Sequence, residues 1–241
     1  MSNFFDIFID ILKKNCILVL SSFEKEATIL KDGGKMDNLD VLKQDVRYLS
    51  TKDRISVETF QLLQASRGVN VTISDICRAA GITKSTFYYY FHSIDEVIET
   101  FTDILLLKLQ SSIPVIFQQH TCIDQALMAI RVIDEGVESL GVSVAASRYI
   151  LHLKNGDYTG FTAEAGWELV LAIFRKAIEI GELPPDRSAE EVATSVYYIM
   201  RGINHTWCMR GGDFPFVEEV QKELRVYLQA LSKSYTPDII R

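Results

Sequence analysis

The sequence predicts an all-α protein in which a small group of helices is followed by a larger helical body. Three observations support this prediction. Apolar residues repeat with the helical period from residue 50 onward, no strand-like alternation is sustained, and only five prolines interrupt the 241 residues. With 48% apolar and 24% charged residues, the composition is ordinary for a soluble globular protein. No apolar run reaches the eighteen residues that a membrane span needs, so no membrane partner is expected.

The first 46 residues differ from the rest of the chain. Residues 4–20 are apolar but are interrupted by four charged side chains, and residues 31–38 form a flexible break rich in glycine and polar groups. Two interpretations are open. Either residues 4–30 form an extra amphipathic helix, or translation begins at Met36 and the segment before it is a gene-call extension.

The first three expected helices lie before residue 91. One covers about residues 53–67 and directs apolar side chains toward a core. A second covers 73–80 and begins after Thr72, and a third covers 84–90 and begins after Thr83. Both threonines are residues that commonly cap the start of a helix.

The next four helices form most of the body. Glycine, proline and capping residues mark their ends. They are expected over 94–111, stopping before Pro114; over 121–139, opened by Thr121 and Asp124; over 142–153, ended by Asn155 and Gly156; and over 162–180, closed by Gly181.

Two final helices are the most clearly marked, and each has an apolar stripe at helical spacing. Such stripes either pack against their own domain or pair with their copies in a four-helix dimer seam through about residues 188–233. The spacing fits both alternatives. The stripe residues are Val192, Val196, Ile199, Ile203 and Trp207 in the first helix, and Val217, Val220, Leu224, Tyr227, Leu228 and Leu231 in the second.

Charge is unevenly distributed along the chain. The net charge is −7, yet residues 47–92 contain six Lys or Arg against three acids, a local balance of +3 that leaves −10 for the remainder. A basic module joined to an acidic body is typical of a DNA-binding protein with a separate partner or ligand domain. The four cysteines are scattered, and no nucleotide-binding loop, metal-ligand spacing or nucleophile motif is found. We therefore expect no enzyme, no metal and no cofactor.

Residues 71–97 are the most informative stretch. Thr72 and Thr83 can each cap a short helix, and Gly81 between them suits a left-handed turn residue. Two short helices around a tight turn form a helix-turn-helix, whose second helix enters the DNA major groove by its N-terminal residues. The motif is expected over 72–91.

The second helix of this motif contains an unusual aromatic run over residues 87–91. Phe87 and Phe91 lie one turn apart and suit the core, so Tyr88 and Tyr89 point away from it. Phenol groups can bond phosphates, and Lys84 can meet a phosphate or a guanine. The plainer alternatives are that the tyrosines pack between subdomains and that Lys84 is only a solvated charge.

Residues 50–97 as a whole resemble the N-terminal domain of the TetR/AcrR family, because the glycine, turn and aromatic positions agree together. One departure is Ile94, which stands where a lysine that binds phosphate is common in the family. The resemblance implies phosphate contacts and groove contacts, and Thr86 belongs to the same expected DNA-binding set. The implied phosphate contacts are Thr72, Ser74, Thr83, Tyr88 and His92, and the groove contacts are Lys84, Ser85 and Tyr89.

The resemblance also implies a division into an extension (1–46), a DNA-binding domain (49–109) and an effector-binding and dimerisation domain (110–241). The expected function is that of a cytoplasmic, homodimeric repressor, released from its DNA operator by a small molecule. Arg148 and Arg175 would meet an anionic effector or form interhelical salt bridges. The alternative is a helical protein-interaction module with weak or no DNA binding. Candidate effector-lining residues are Tyr149, His152, Trp167 and Phe174.

Overall fold

The computed structural model describes residues 50–66, 71–156 and 166–232, and every regular element within them is an α-helix. This confirms the all-α prediction. The expected helix over 4–30 and the alternative start at Met36 lie outside the described residues. The helices are α1 (Thr51–Ala65), α2 (Ile73–Ala80), α3 (Lys84–Tyr90), α4 (Ile94–Phe117), α5 (Cys122–Leu140), α6 (Val142–Asn155), α7 (Trp167–Glu179), α8 (Ala189–Met209) and α9 (Phe216–Leu231).

The predicted end of α4 at residue 111 is wrong, because the helix continues through Pro114 to Phe117. A proline inside a helix removes one backbone hydrogen bond, which is why the sequence suggested a stop. Packing overrides this cost, since Ile116 in the next turn is completely buried. The helix then closes normally, with the Gln118 N–H donating to the Pro114 carbonyl over 3.2 Å.

Two other helix starts also differ from the prediction. α1 begins at Thr51, two residues early, because the Ser50 hydroxyl accepts the Asp53 N–H at 3.2 Å and caps the helix. α7 begins at Trp167 after Gly166, whose φ of 88° lies in the left-handed region. The predicted start of α7 at residue 162 falls outside the described residues.

Helix α5 is the centre of the body and packs against α4, α7 and α9. Its N-terminus is closed by a residue sixty positions further along the chain. The Glu182 carboxylate accepts the backbone N–H groups of Cys122 at 2.8 Å and Ile123 at 3.0 Å. These are N–H groups that a helix start leaves without an internal partner. Glu182 thus fixes the connection between α7 and α8 onto the start of α5.

Polar contacts join the first helices to the body. The Gln64 side chain of α1 donates to the Leu140 carbonyl at the corner between α5 and α6. Gly141 forms that corner with a φ of 87°, and a Cβ there would collide with the Gln64 side chain. At the other end of α6, the Lys154 ammonium pairs with Asp95 of α4 at 2.9 Å. Helix α6 therefore touches both α1 and the start of α4.

The apolar stripes of α8 and α9 face the chain itself. Val192, Val196 and Trp207 are buried, and the Trp207 ring stacks on Phe216 with centroids 5.1 Å apart. Four of the predicted α9 residues are buried as well, which confirms the packing alternative for most of both stripes. The opposite faces of the two helices expose other apolar side chains: Tyr198 (68%), Met209 (75%) and Val226 (61%).

Among the described residues, one helix, α4, has the length and apolar composition that a membrane-crossing helix needs. Core helices of soluble proteins meet the same test. Phe101, Leu105 and Leu109 of α4 are buried against the rest of the chain, and 24% of its apolar stretch is buried in all.

Candidate nucleic-acid interface

Helix α2 and the turn after it are closed by side-chain caps. The Thr72 hydroxyl accepts the Asp75 N–H at 3.2 Å, while the Asp75 carboxylate accepts the Thr72 N–H at 3.1 Å. At the other end, Gly81 adopts the left-handed conformation with a φ of 63°. The Ile82 N–H then donates back to the Cys77 carbonyl over 3.0 Å. This arrangement confirms the capped helix and the glycine turn that the sequence predicts.

Helix α3 begins in a cluster of three hydroxyl groups. Thr83 caps the helix by accepting the Thr86 N–H at 3.2 Å. Its Oγ1 also lies 2.8 Å from the Ser85 hydroxyl and 2.9 Å from the Thr86 hydroxyl. Thr83 and Ser85 are exposed, so the cluster presents donors and acceptors to solvent at the start of the helix.

Side chains on the inward face of α3 hold α1, α2 and α3 together. Phe87 and Phe91 are 0% and 1% exposed, and their ring centroids are 6.1 Å apart. They share a core cluster with Ile55 of α1 and Ile76 of α2, and Ile94 packs against the same cluster. Ile94 is half-buried against this cluster and therefore has a packing role here.

The outward face of α3 exposes two of the three tyrosines. Tyr88 is 52% and Tyr89 81% exposed, as the helical spacing predicts. Tyr90 is half-buried against the core cluster, and its ring meets that of Tyr89 edge-on at 4.9 Å. Of the three, only Tyr90 follows the packing alternative.

All nine predicted DNA-binding residues lie on or beside the helix-turn-helix, and eight of them are exposed. The ninth, Thr86, is half-buried. Their contact with DNA remains a prediction. The exposed residues are Thr72, Ser74, Thr83, Lys84, Ser85, Tyr88, Tyr89 and His92.

Two acidic residues near this surface are held by local hydrogen bonds. The Thr72 hydroxyl and N–H lower the pKa of Asp75, which also pairs with Arg78 at 3.3 Å. The His92 backbone N–H and ring lower the pKa of Glu96, whose Oε2 lies 2.9 Å from the His92 Nδ1. Both carboxylates stay ionised, so they offset part of the positive charge that attracts phosphate.

One cation beside this surface has no role in the sequence-based prediction. Lys52 in the first turn of α1 is exposed, and its ammonium lies 5.6 Å from the centroid of the Phe91 ring, above its face. Its charge also contributes to the lowered pKa of Glu96. In the sequence Lys52 is one of the six cations of residues 47–92, and nothing in that count reveals that it lies next to the end of α3.

The four candidate effector-lining residues lie in different environments in the structure. Tyr149 lines a cavity between α4, α5, α6 and α8, while His152, Trp167 and Phe174 are not among the lining residues of this cavity. Phe174 is completely buried in the core. Arg175 forms a 2.7 Å interhelical ion pair with Glu190 of α8, as the salt-bridge alternative predicted.

Comparison with known proteins gives one family match. Residues 63–100 match the family model described as bacterial regulatory proteins, tetR family. No curated protein matches the chain. A solved structure of a proposed transcriptional regulator from Rhodococcus sp. RHA1 is similar at 17% identity and a TM-score of 0.47, over 75% of this chain and 96% of that one. At that TM-score the likeness supports no conclusion. The family match covers the end of α1, the helix-turn-helix and the start of α4.

Proposed function

We propose that this chain is a ligand-responsive repressor that binds its operator as a homodimer in the cytoplasm, and the match of residues 63–100 to the tetR family model supports the DNA-binding part of the proposal. The outward face of α3 is the observation on which the proposal depends. Four side chains that can bond bases or phosphates, Lys84, Ser85, Tyr88 and Tyr89, are exposed there while Phe87 fixes the helix from behind.

A homodimer is proposed because one recognition helix of two turns reads only a short half-site. Two copies of the helix on a two-fold axis would read two half-sites about one DNA turn apart. Within the predicted region 188–233, the outer faces of α8 and α9 are suited to such contact. They expose Tyr198, Met209 and Val226, whereas the stripe residues are already covered by the chain itself.

Ligand response is proposed from the position of α6. Arg148 and Tyr149 of this helix line the cavity in the body. The Arg148 guanidinium donates to Thr102 of α4 at 3.1 Å, and Lys154 pairs with Asp95 in the first turn of α4, five residues after α3 ends. A ligand that binds one arrangement of α6 better than another would change the fraction of protein molecules whose recognition helix α3 is placed to fit DNA.

The test is retention of DNA from the region upstream of the chain's own gene, measured by fluorescence anisotropy from 50 to 300 mM salt. We expect sequence-specific binding that weakens steeply with salt, because phosphate contacts release counterions. Absence of sequence-specific retention at low salt would overturn the proposal and favour a protein-interaction module.

Two variants locate the contact. Lys84→Ala should weaken binding and, where Lys84 meets phosphate, lower the salt slope by about 0.9 per protomer. Lys176→Ala removes another exposed lysine, on α7, and should change neither the affinity for DNA nor the salt slope. Tyr88→Phe should weaken binding, while Tyr90→Phe, at the half-buried position, should not. Thermal stability should be unchanged by Lys84→Ala and Tyr88→Phe, and a large loss in either would indicate a packing role instead.

A further inference from the structure

The cavity in the body lies between α4, α5, α6 and α8. Its volume is about 50 Å³, and it opens to solvent at its mouth. This is below the usual range for small-molecule sites, so a ring-sized ligand fits only partly inside and extends into the mouth. Apolar side chains such as Leu105, Ile133 and Val137 form much of the wall, and the rings of Phe101 and Tyr149 form another part.

Asp134 is the unusual member of this wall. It lies on the otherwise apolar buried face of α5, is 2% exposed, and its Oδ2 has no hydrogen-bond partner. Buried polar atoms nearly always have a partner, and leaving one without is costly. Burial, and then the charge of Glu138, raise the pKa of Asp134 well above its usual range. In its neutral form this carboxyl can both donate and accept a hydrogen bond.

The two guanidinium groups of the wall are already engaged. Arg148 donates to Thr102 and lies 5.1 Å from the centroid of the Phe101 ring. Arg201 lies between two rings, 4.9 Å from the centroid of Tyr149 and 5.0 Å from that of Tyr197. Their positive charge opposes a cationic ligand. An anionic ligand would have to compete with the ring faces and hydroxyls that hold them.

We propose that the cavity binds an uncharged hydroxyl compound, an alcohol or a phenol, whose hydroxyl group pairs with Asp134 and whose apolar body lies against the aromatic rings toward the mouth. A hydroxyl group donates and accepts, so it satisfies Oδ2 in either protonation state of the carboxyl. This inference rests on the proposed function, because it identifies the cavity as the effector site.

The test uses four single-ring probes on the full chain, with calorimetry and thermal shift as readouts. Phenol has the hydroxyl, anisole lacks the donor, benzoate is an anion and benzylammonium is a cation. We expect phenol to bind about tenfold more tightly than anisole, the usual effect of one hydrogen bond to a buried polar group. Equal binding of phenol and anisole, or a preference for either ion, would overturn the proposal.

Variants at Asp134 separate its role from general packing. Asp134→Leu should bring the ratio of phenol to anisole affinity to about one. Asp134→Asn should keep part of the preference, since an amide also donates and accepts. Asp103→Asn changes an acidic residue of α4 that is not among the lining residues and should leave the ratio unchanged. An unchanged phenol preference in Asp134→Leu would overturn the proposal, and Asp134→Val, which also removes every polar atom of the side chain, replaces it with the same expectation if the leucine variant does not fold.

DNA retention by the ligand-free protein is measured separately, so the two proposals can fail independently. Loss of DNA retention on addition of phenol is expected for the effector site. Phenol selectivity that depends on Asp134 without any DNA binding would support the ligand site and refute the regulator. DNA binding that phenol does not change, together with no Asp134-dependent selectivity for phenol, would support the regulator and refute the ligand site.

Discussion

Glu182 is expected to be a major long-range support of the body, although it is only half-buried. Its carboxylate accepts the Cys122 and Ile123 N–H groups at 2.8 and 3.0 Å. Glu182→Gln keeps the size but can satisfy only one of these donors with its amide oxygen. The loss comprises one charge-assisted hydrogen bond, about 1.5–3 kcal/mol, and a favourable interaction of about 0.3–1 kcal/mol with the helix N-terminus. Because Glu182 is partly solvated, we expect the low end, about 2 kcal/mol.

Urea denaturation followed by circular dichroism measures this difference. With an m-value of about 2–3 kcal/mol per molar urea, a loss of 2 kcal/mol moves the midpoint down by about 0.7–1 M. The matched control is Glu179→Gln, which removes one exposed pair to Lys176 within the same helix and should cost less than about 0.5 kcal/mol. A Glu182→Gln midpoint within 0.2 M of the control would refute the reasoning.

Three further predictions concern buried groups. Phe87→Ala should lower the free energy of unfolding by about 3–5 kcal/mol and abolish DNA binding. Tyr89→Ala, on the outward face of the same helix and 81% exposed, should change the free energy of unfolding by less than about 0.5 kcal/mol. Equal losses for the two variants in denaturation would contradict the division of α3 into two faces. Because the pKa of Asp134 is raised, the native state keeps a proton that the unfolded state loses once the pH exceeds 3.8, the ordinary pKa of the group. The free energy of unfolding should therefore fall by about 1.4 kcal/mol per pH unit as the pH rises from 3.8 to the native pKa. Asp134→Asn should remove this slope in urea titrations at several pH values, and an unchanged slope would show that another group causes it. Burial raises the pKa of the Cys122 thiol to about 11, so iodoacetamide at pH 8 should label it much more slowly in the native protein than in urea; equal rates would show that the thiol is accessible and reactive.

The sequence predicted the helix-turn-helix well because its determinants are local. Thr72, Gly81 and Thr83 act within four residues of their own positions, and the spacing of Phe87 and Phe91 is a property of one helix. The end of α4 was mispredicted because the local cost of Pro114 is outweighed by the burial of Ile116, which depends on residues distant in the sequence.

The site in the body was less predictable for the same reason. Asp134 shows no sign in the sequence of being unpaired, because that depends on four helices meeting around it. Glu182 likewise resembles any acidic residue after a helix, and its role depends on contact with residues sixty positions away. Trp167 and Phe174 were predicted by residue type alone, which does not distinguish a cavity wall from a filled core, and their contact with a ligand stays a prediction.

The division of α3 into two faces also has a consequence for how such a protein can change over time. Substitutions at Lys84, Ser85, Tyr88 and Tyr89 alter what is presented to DNA while leaving the buried face of Phe87 intact. Because these outward positions contribute little to stability, new operator preferences are accessible by single substitutions without an intermediate that fails to fold. After gene duplication, two copies of this chain could diverge in the sites they recognise while keeping the same body.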